Sequence, residues 1–291
     1  MGAFDALTEI ARASGGAEAR EYAFSQADFE RVRQHIYARA GISLNESKQN
    51  MVYSRLSRRL RATGVNAFPE YLDRIESDAG FAATELQEFV NALTTNLTSF
   101  FREAHHFPIL AEFLAAHGAG ARLWCAAAAT GEEPYSIAMT MLETLGADPS
   151  ARLLATDIDT NVLAQARRGV YRLDAVRACG ESRQRRFFLR GKGAQEGMAR
   201  VRPELERLVE FAQLNLLAPS WDAQCKFAAS VDVVFIRNVM IYFDKATQRR
   251  ILERVAQVLR KGGLLFVGHS ENFTDVRSHF TLRGKTVYER T

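Results

Sequence analysis

At 291 residues, 47% of them hydrophobic and 25% charged, the chain has the composition of a folded globular protein long enough for two domains with cores of their own. A net charge of +4 leaves nucleic acid or another acidic partner open without naming one, and no apolar run approaches the length of a bilayer span. Asp5, Glu9 and Arg12 interrupt what would be a secretory signal core, and the 3 cysteines, Cys125, Cys179 and Cys225, have no disulfide or metal spacing, so a cytoplasmic protein with reduced thiols is expected.

Residues 1–20 read as a flexible, weakly helical tail. From Phe24 the pattern turns helical: Ser25 is placed to cap, and Phe29, Val32, Ile36 and Tyr37 recur at helical spacing as far as Gly41. A second helix is expected over 45–64. Turned at ~100° per residue, it puts Val52, Tyr53, Leu56 and Leu60 on one face, with Arg58 opposite, Arg55 and Arg61 flanking it and Arg59 at the boundary. An arginine run is ordinarily a solvated surface. No acid on this helix answers these charges at i±4, however, so an acidic partner surface would relieve their repulsion. Helices over 68–76 and 84–93 complete an all-α unit placed at 21–92.

The next stretch, 93–106, is polar and β-branched at its start, and reads as a linker entering a helix at Ser99. Asn96, Thr98 and Arg102 would converge on one pocket if it folds back; the competing reading is a capped linker whose Arg102 pairs with a nearby acid. His105 and His106 are neighbours on the expected helix and would not face each other, so no metal site is assigned.

From 107 onward strands and helices alternate, as in a mainly parallel α/β sheet. The apolar run from Ala121 stops at Thr130-Gly131, and Glu132-Glu133-Pro134 opens a helix, the strand–turn–helix pattern that binds nucleotides. Two carboxylates there repel phosphate and would suit a cationic, phosphate-free cofactor; alternatively they only complement the helix dipole. A second strand ends at Asp157-Ile158-Asp159, about 25 residues after the turn, where an acid can bond ribose hydroxyls. Asp157 is the candidate, with helix capping by Asp159 or Thr160 as the rival explanation. Three glycines bracketed by short runs over about 181–206 suggest an inserted antiparallel ribbon, whose edge would accept a peptide strand or be inert. A strand ending at Asn215-Leu216, and another over Val231 to Ile236 leading into Arg237-Asn238-Val239-Met240-Ile241-Tyr242-Phe243, place polar residues at strand ends where ligands bind. A helix from 245 to 259 stops before Gly262-Gly263, and a strand follows from Leu264. His269-Ser270-Glu271 lacks a third partner for a nucleophile, and the last strands are read as an antiparallel addition to the sheet.

Taken together, Asn91-Ala92-Leu93-Thr94-Thr95-Asn96 through Phe101-Arg102-Glu103, Thr130 to Ser136, Ala155 to Asp159, Arg237 to Phe243 and Gly268-His269-Ser270-Glu271 resemble the CheR family of chemotaxis receptor methyltransferases, over about Phe24 to Tyr288. The resemblance implies a Rossmann-like S-adenosylmethionine-dependent methyltransferase domain (107–291) with an N-terminal all-α domain and an inserted antiparallel β-subdomain. It also implies methyl esterification of glutamates on the cytoplasmic helices of methyl-accepting receptors, by a cytoplasmic monomer recruited to membrane receptor arrays. Carried over by motif, the cofactor residues are Asn96, Thr98, Arg102, Glu133, Asp157, Asn215, Leu216, Arg237 and Asn238, and the reacting centre is arranged by Arg102 and Tyr242. The arginine face with Arg55, Arg58 and Arg59 then meets the receptor. In receptor-tethering members the ribbon binds a C-terminal pentapeptide, and Arg190, Gly191, Gly193 and Gly197 are similar to that form, with Ala194-Gln195 between them. A second departure is Ala129, where the family commonly has Ser; the lost hydroxyl lowers cofactor affinity by at most about 1 kcal/mol.

Rival classes are a non-catalytic S-adenosylmethionine-binding module that docks on receptors, a nucleic-acid methyltransferase and an NAD-dependent dehydrogenase. Arg102 and Tyr242 argue against the first, and the sequence after the fourth strand does not resemble a base-flipping pocket. The missing glycines and the Glu132-Glu133 pair disfavour the third.

Overall fold

The computed structural model describes residues 20–118, 120–147, 149–221, 231–273 and 278–291; the expected tail over residues 1–19 and Cys225 lie outside them. Contacts divide the chain into one unit running to Gln34 and then over Asn45–Ala92, and a second formed by His35–Leu44 with Leu93–Thr291.

The first unit is helical. Helix α1 (Gln26–Ala40) opens on a reciprocal cap in which Ser25 Oγ accepts the Asp28 amide at 3.1 Å and the Asp28 carboxylate accepts the Ser25 amide at 2.8 Å. Helix α2 (Gln49–Thr63) ends at left-handed Gly64, and α3 (Phe68–Ser77) and α4 (Ala79–Leu93) follow. Phe29, Val32, Leu56, Leu60, Phe68 and Leu72 are each buried, with the Phe24 ring centred 4.4 Å from that of Phe68. The α2 arginines are not left to repel one another, because acids outside the helix reach them. Arg59 forks onto Glu85 at 2.8 and 2.6 Å, and the same carboxylate accepts the buried Tyr71 hydroxyl at 2.7 Å. Arg61 pairs with Glu21 at 3.0 Å, and Arg55 donates to the Ala92 carbonyl at 3.4 Å. Among the described residues the charge left unmet on this helix is therefore that of exposed Arg58, whereas Arg59 serves the fold of its own unit.

In the second unit the expected helix at Ser99 does not form. Phe101 and Glu103 have φ of 51° and 53°, a left-handed backbone that no helix continues through, so residues 99–105 are turns and α5 (His106–His117) begins later. The chain then runs β1 (Arg122–Cys125), α6 (Glu132–Leu145), β2 (Arg152–Asp157), α7 (Thr160–Arg168), β3 (Val170–Arg172), α8 (Leu173–Val176), α9 (Glu181–Phe187), β4 (Phe188–Arg190), β5 (Met198–Val201), α10 (Pro203–Glu206) and β6 (Val209–Gln213). It continues with β7 (Val231–Ile236), α11 (Lys245–Val258), β8 (Leu259–Val267), β9 (Phe280–Gly284) and β10 (Val287–Arg290).

Among the described residues the main sheet has 7 strands in the order β6-β2-β1-β7-β8-β10-β9. It is parallel from β6 to β8, and β10 enters antiparallel beside β8, the terminal addition expected from the sequence. From β1 the chain winds outward through β2 and β6, and the other half through β7 and β8, so the switch point lies between β1 and β7. Such strands are buried on both faces and read as continuous apolar runs, as Val233 to Ile236 does. The insert is a 3-stranded sheet ordered β3-β5-β4; it begins at Val170, before the expected 181, because β3 pairs with β5 while 181–187 is helix. Strand β8 likewise starts at Leu259 rather than Leu264, since Val231 pairs with Leu259 and a bulge absorbs the glycine pair.

Gly131 fixes the turn that the site depends on. Its φ is 99°, and a Cβ there would lie 2.6 Å from the Tyr171 hydroxyl oxygen and 2.9 Å from Ala166 Cβ. Gly131→Ala is expected to cost at least about 1–2 kcal/mol from the backbone alone, read as a lower urea midpoint at unchanged slope.

Candidate functional site

The C-terminal ends of β1, β2, β6 and β7 carry the candidate residues in the second unit. After β1 the chain passes through Ala129, with φ of 45°, whose amide donates to Asp157 Oδ2 at 2.8 Å. Asp157 Oδ1 accepts the Asp159 amide at 3.0 Å. Burial lifts the Asp157 carboxyl to about 6, while the amides of Asp159 and Ala129 pull against that rise.

Asp159 is the cap of α7, accepting the amides of Asn161 at 2.9 Å and Val162 at 3.2 Å. Its other oxygen accepts from Thr94 Oγ1 at 2.6 Å and Asn96 Nδ2 at 2.7 Å. The capping reading of this strand end therefore holds for Asp159, while Asp157 accepts the amides of Ala129 and Asp159. Asn96 comes to this point through Asp159. Arg102 Nη1 donates to the Leu97 carbonyl at 2.9 Å, so the linker turns back on itself. Half-buried Thr98 lies on the same turn.

The opposite side is built around Arg237, whose side chain is 0% exposed at the end of β7. Its Nη1 donates to Glu133 Oε2 at 2.7 Å, and its Nη2 donates to the Arg102 carbonyl and lies 3.6 Å from Glu103 Oε2. The Glu133 charge is therefore answered by the protein. Burial still raises the Glu133 carboxyl, and Arg237 opposes that. Glu132 is also buried, with Thr130 Oγ1 donating to it, and burial raises its carboxyl as well. Glu103 goes the other way, to about 2: burial pushes it up, but His269, Arg237 and Asn238 together hold it ionised.

Asn238 stands in the left-handed region with φ of 57° and offers Nδ2 to Glu103 at 3.4 Å. Tyr242, half-exposed on the short turn Met240–Tyr242, has its carbonyl engaged by the Ser43 amide at 2.8 Å. Leu214 donates to the Asp157 carbonyl at 2.9 Å, which brings the following Asn215 and buried Leu216 beside that acid. Asn215 Nδ2 donates to the Arg39 carbonyl at 2.6 Å.

Sequence reasoning gave no role to Glu103 or Glu271 and only a helix cap to Asp159, and these three carboxylates hold the turns together. An acid beside an expected catalytic arginine, as in Arg102-Glu103, and an acid three residues after a strand-ending glycine, as in Gly268 to Glu271, were the available signals. The two histidines also depart from expectation. Where the turn enters α5, ligand atoms of Glu103, His105 and His106 lie within 4.8 Å of one another, because Glu103 and His105 precede the helix that His106 opens. A dication there would face the Arg237 guanidinium, which already lowers the His106 imidazole, after burial, to about 4. Among the described residues the arginine-rich surface Arg55, Arg58, Arg59 belongs to the first unit, and Arg190, Gly191, Gly193 and Gly197 to the small sheet.

Comparison with known proteins gives this arrangement its context. The family profile described as CheR methyltransferase, SAM binding domain matches residues 96–289, and CheR methyltransferase, all-alpha domain, matches 27–94. The chain belongs to the CheR methyltransferase family. It is 51% identical over 267 residues to the chemotaxis protein methyltransferase of Escherichia coli K12, covering 91% of each chain. Identity to the Salmonella typhimurium protein of that name is 52% over 267 residues, again 91% of each. Chemotaxis protein methyltransferase 2 of Pseudomonas aeruginosa is 51% identical over 274 residues, 92% of this chain and 95% of the relative.

The residues present fit the S-adenosylmethionine that the CheR domain takes. Four carboxylates, Glu103, Glu132, Glu133 and Asp157, outnumber Arg102 and Arg237, which favours a cationic ligand over a phosphate one. Asp157, an acid at the end of β2, suits ribose hydroxyls. Because its carboxyl titrates near 6 and accepts best when ionised, product S-adenosylhomocysteine should bind more weakly as pH falls from 7 to 5. Calorimetric titration of Asp157→Asn should give a weaker but flatter pH profile. The stability linkage has the opposite sign: the raised carboxyl favours the folded state at low pH, and that contribution fades as pH rises from about 4 to 6.

Proposed function

We propose that this CheR-family protein transfers a methyl group from S-adenosylmethionine to glutamate carboxylates of methyl-accepting chemotaxis receptors. The observation that carries the reading is the acid-rich strand-end cluster, joined by Arg237 to the turn holding Arg102, in a chain whose relatives are named chemotaxis protein methyltransferases. When bound, the cofactor supplies an electrophilic methyl group on a cationic sulfur.

The residues then divide the remaining work. Asp157 accepts the ribose hydroxyls, and Asn96, Asn215, Leu216 and Asn238 line the cofactor's path. Glu133 and Arg237 set the local charge. A substrate glutamate has an ordinary pKa of about 4.3 and is ionised at neutral pH, so no general base is needed. Catalysis is then orientation of the carboxylate oxygen with water excluded. Arg102 holds the carboxylate or the cofactor, and Tyr242, a neutral donor, shares the positioning without draining the oxygen's nucleophilicity. Arg102→Ala and Tyr242→Phe should each lower kcat at least about tenfold while changing affinity for S-adenosylhomocysteine less, as expected for interactions made mainly in the transition state. Methyl transfer near wild type in both variants would remove this assignment. Activity absent in the wild type, with cofactor still bound, would favour the non-catalytic docking module instead.

Receptor contacts are assigned to Arg55, Arg58 and Arg59 on α2 and to the small sheet. Of the three, exposed Arg58 is best supported, since Arg59 is committed to Glu85. In the small sheet β4 is an edge strand, Leu189 is 44% exposed beside Arg190, and Gly193 and Gly197 turn the chain with φ of 56° and 84°. An extended receptor C-terminal peptide adding to this edge is the fitting mode. Titrating that pentapeptide should show saturable binding that Arg190→Glu weakens, and no binding to the wild type would remove the tether.

A further inference from the structure

The acid of His269-Ser270-Glu271 has no part in the assignments above, yet its carboxylate is among the most heavily bonded in the second unit. Glu271 is 3% exposed. Its Oε2 accepts the amides of Asn238 at 2.9 Å and Gly268 at 2.6 Å, and its Oε1 accepts the amide of Met240 at 2.8 Å. These donors come from two separate turns, one after β7 and one after β8. The first carries Arg237, Asn238 and Tyr242.

We propose that Glu271 is a positioning residue for methyl transfer: its carboxylate clamps the Asn238–Met240 backbone to the Gly268 turn and so aims Asn238 and Tyr242 at the reacting centre. This rests on the functional reading of those two residues. Two further observations carry it. Asn238 is held at φ of 57°, in the left-handed region, with a charged acceptor on its amide. Its side chain is gripped as well, since Nδ2 donates to Glu103 at 3.4 Å and Glu103 also accepts the His269 amide at 3.3 Å. The clamp is also tightly packed. A Cβ on Gly268 would run into Asn238 Nδ2 and come within 2.9 Å of Glu271 Oε2.

Two substitutions attack the clamp independently. Glu271→Gln replaces an accepting oxygen with a donor facing amide hydrogens, and Gly268→Ala keeps the charge but wedges the two turns apart. Asp232→Asn, at the other end of β7, where Asp232 accepts from Arg122 and Arg260, controls for loss of a partly buried carboxylate. Hydrogen exchange of the Asn238, Met240 and Gly268 amides reads the clamp whatever the function. Methyl transfer to receptor membranes with saturating cofactor reads its consequence. Both clamp variants should speed exchange at those amides and lower kcat at least tenfold, with receptor KM within about twofold of wild type, whereas Asp232→Asn should change neither. Unchanged exchange in Glu271→Gln overturns the clamp, and faster exchange with wild-type kcat overturns its positioning role. A wild type that turns over no receptor would instead strike the functional reading, which the exchange data do not depend on.

Discussion

A guanidinium with no exposed surface at the end of a central strand is the constraint around which the second unit is arranged. Arg237 cannot be buried without partners, and leaving such a charge uncompensated costs roughly 3–5 kcal/mol. Its partners come from the first turn of α6 through Glu133, from the backbone of Arg102, and from Glu103. Satisfying one side chain therefore fixes β7, α6 and the turn before α5 to one another at the switch point between β1 and β7, where an open α/β sheet presents its ligand crevice.

Charge balance then decides what that crevice accepts. Dinucleotide-binding turns leave helix amides for phosphate, whereas here two buried carboxylates occupy the start of α6 and a third ends β2. One of the three is neutralised internally, by Arg237, so selection for a cationic ligand rests on the whole cluster rather than on Glu133 alone. The polar residues are not independent contact points either. Thr94 and Asn96 act on Asp159, Asp159 sits two residues from Asp157, and Glu103 and Glu271 grip Asn238 from side chain and backbone respectively.

Much of this was legible in the sequence, for physical reasons. Parallel strands buried on both faces are largely apolar runs, and their ends are marked by the first polar residues, so Thr130-Gly131, Asp157 and Arg237-Asn238 marked the strand ends at the switch point in the sequence itself. Local spacing did not reveal long-range answers. The α2 arginines looked unopposed because Glu85 and Glu21 lie on other segments, and β3 escaped notice because its partner β5 is far along the chain. The helix expected at Ser99 failed since left-handed Phe101 and Glu103 leave no mark in a pattern of residue types. That same backbone brought His105 and His106 together, against a helical expectation. Glu271 was dismissed as half of a failed nucleophile pair because the useful property, three amides converging on one carboxylate, exists only once two turns have met.

The central claim, carboxylate methylation of a receptor by this acid-rich crevice, is most directly tested by the chemistry of the product. Receptor membranes are incubated with the protein and cofactor labelled in the transferred methyl, then exposed to mild alkali. A glutamate methyl ester releases its label as volatile methanol, and that release is the predicted result. Label that stays on the receptor through alkali, or that appears on nucleic acid instead, would contradict it.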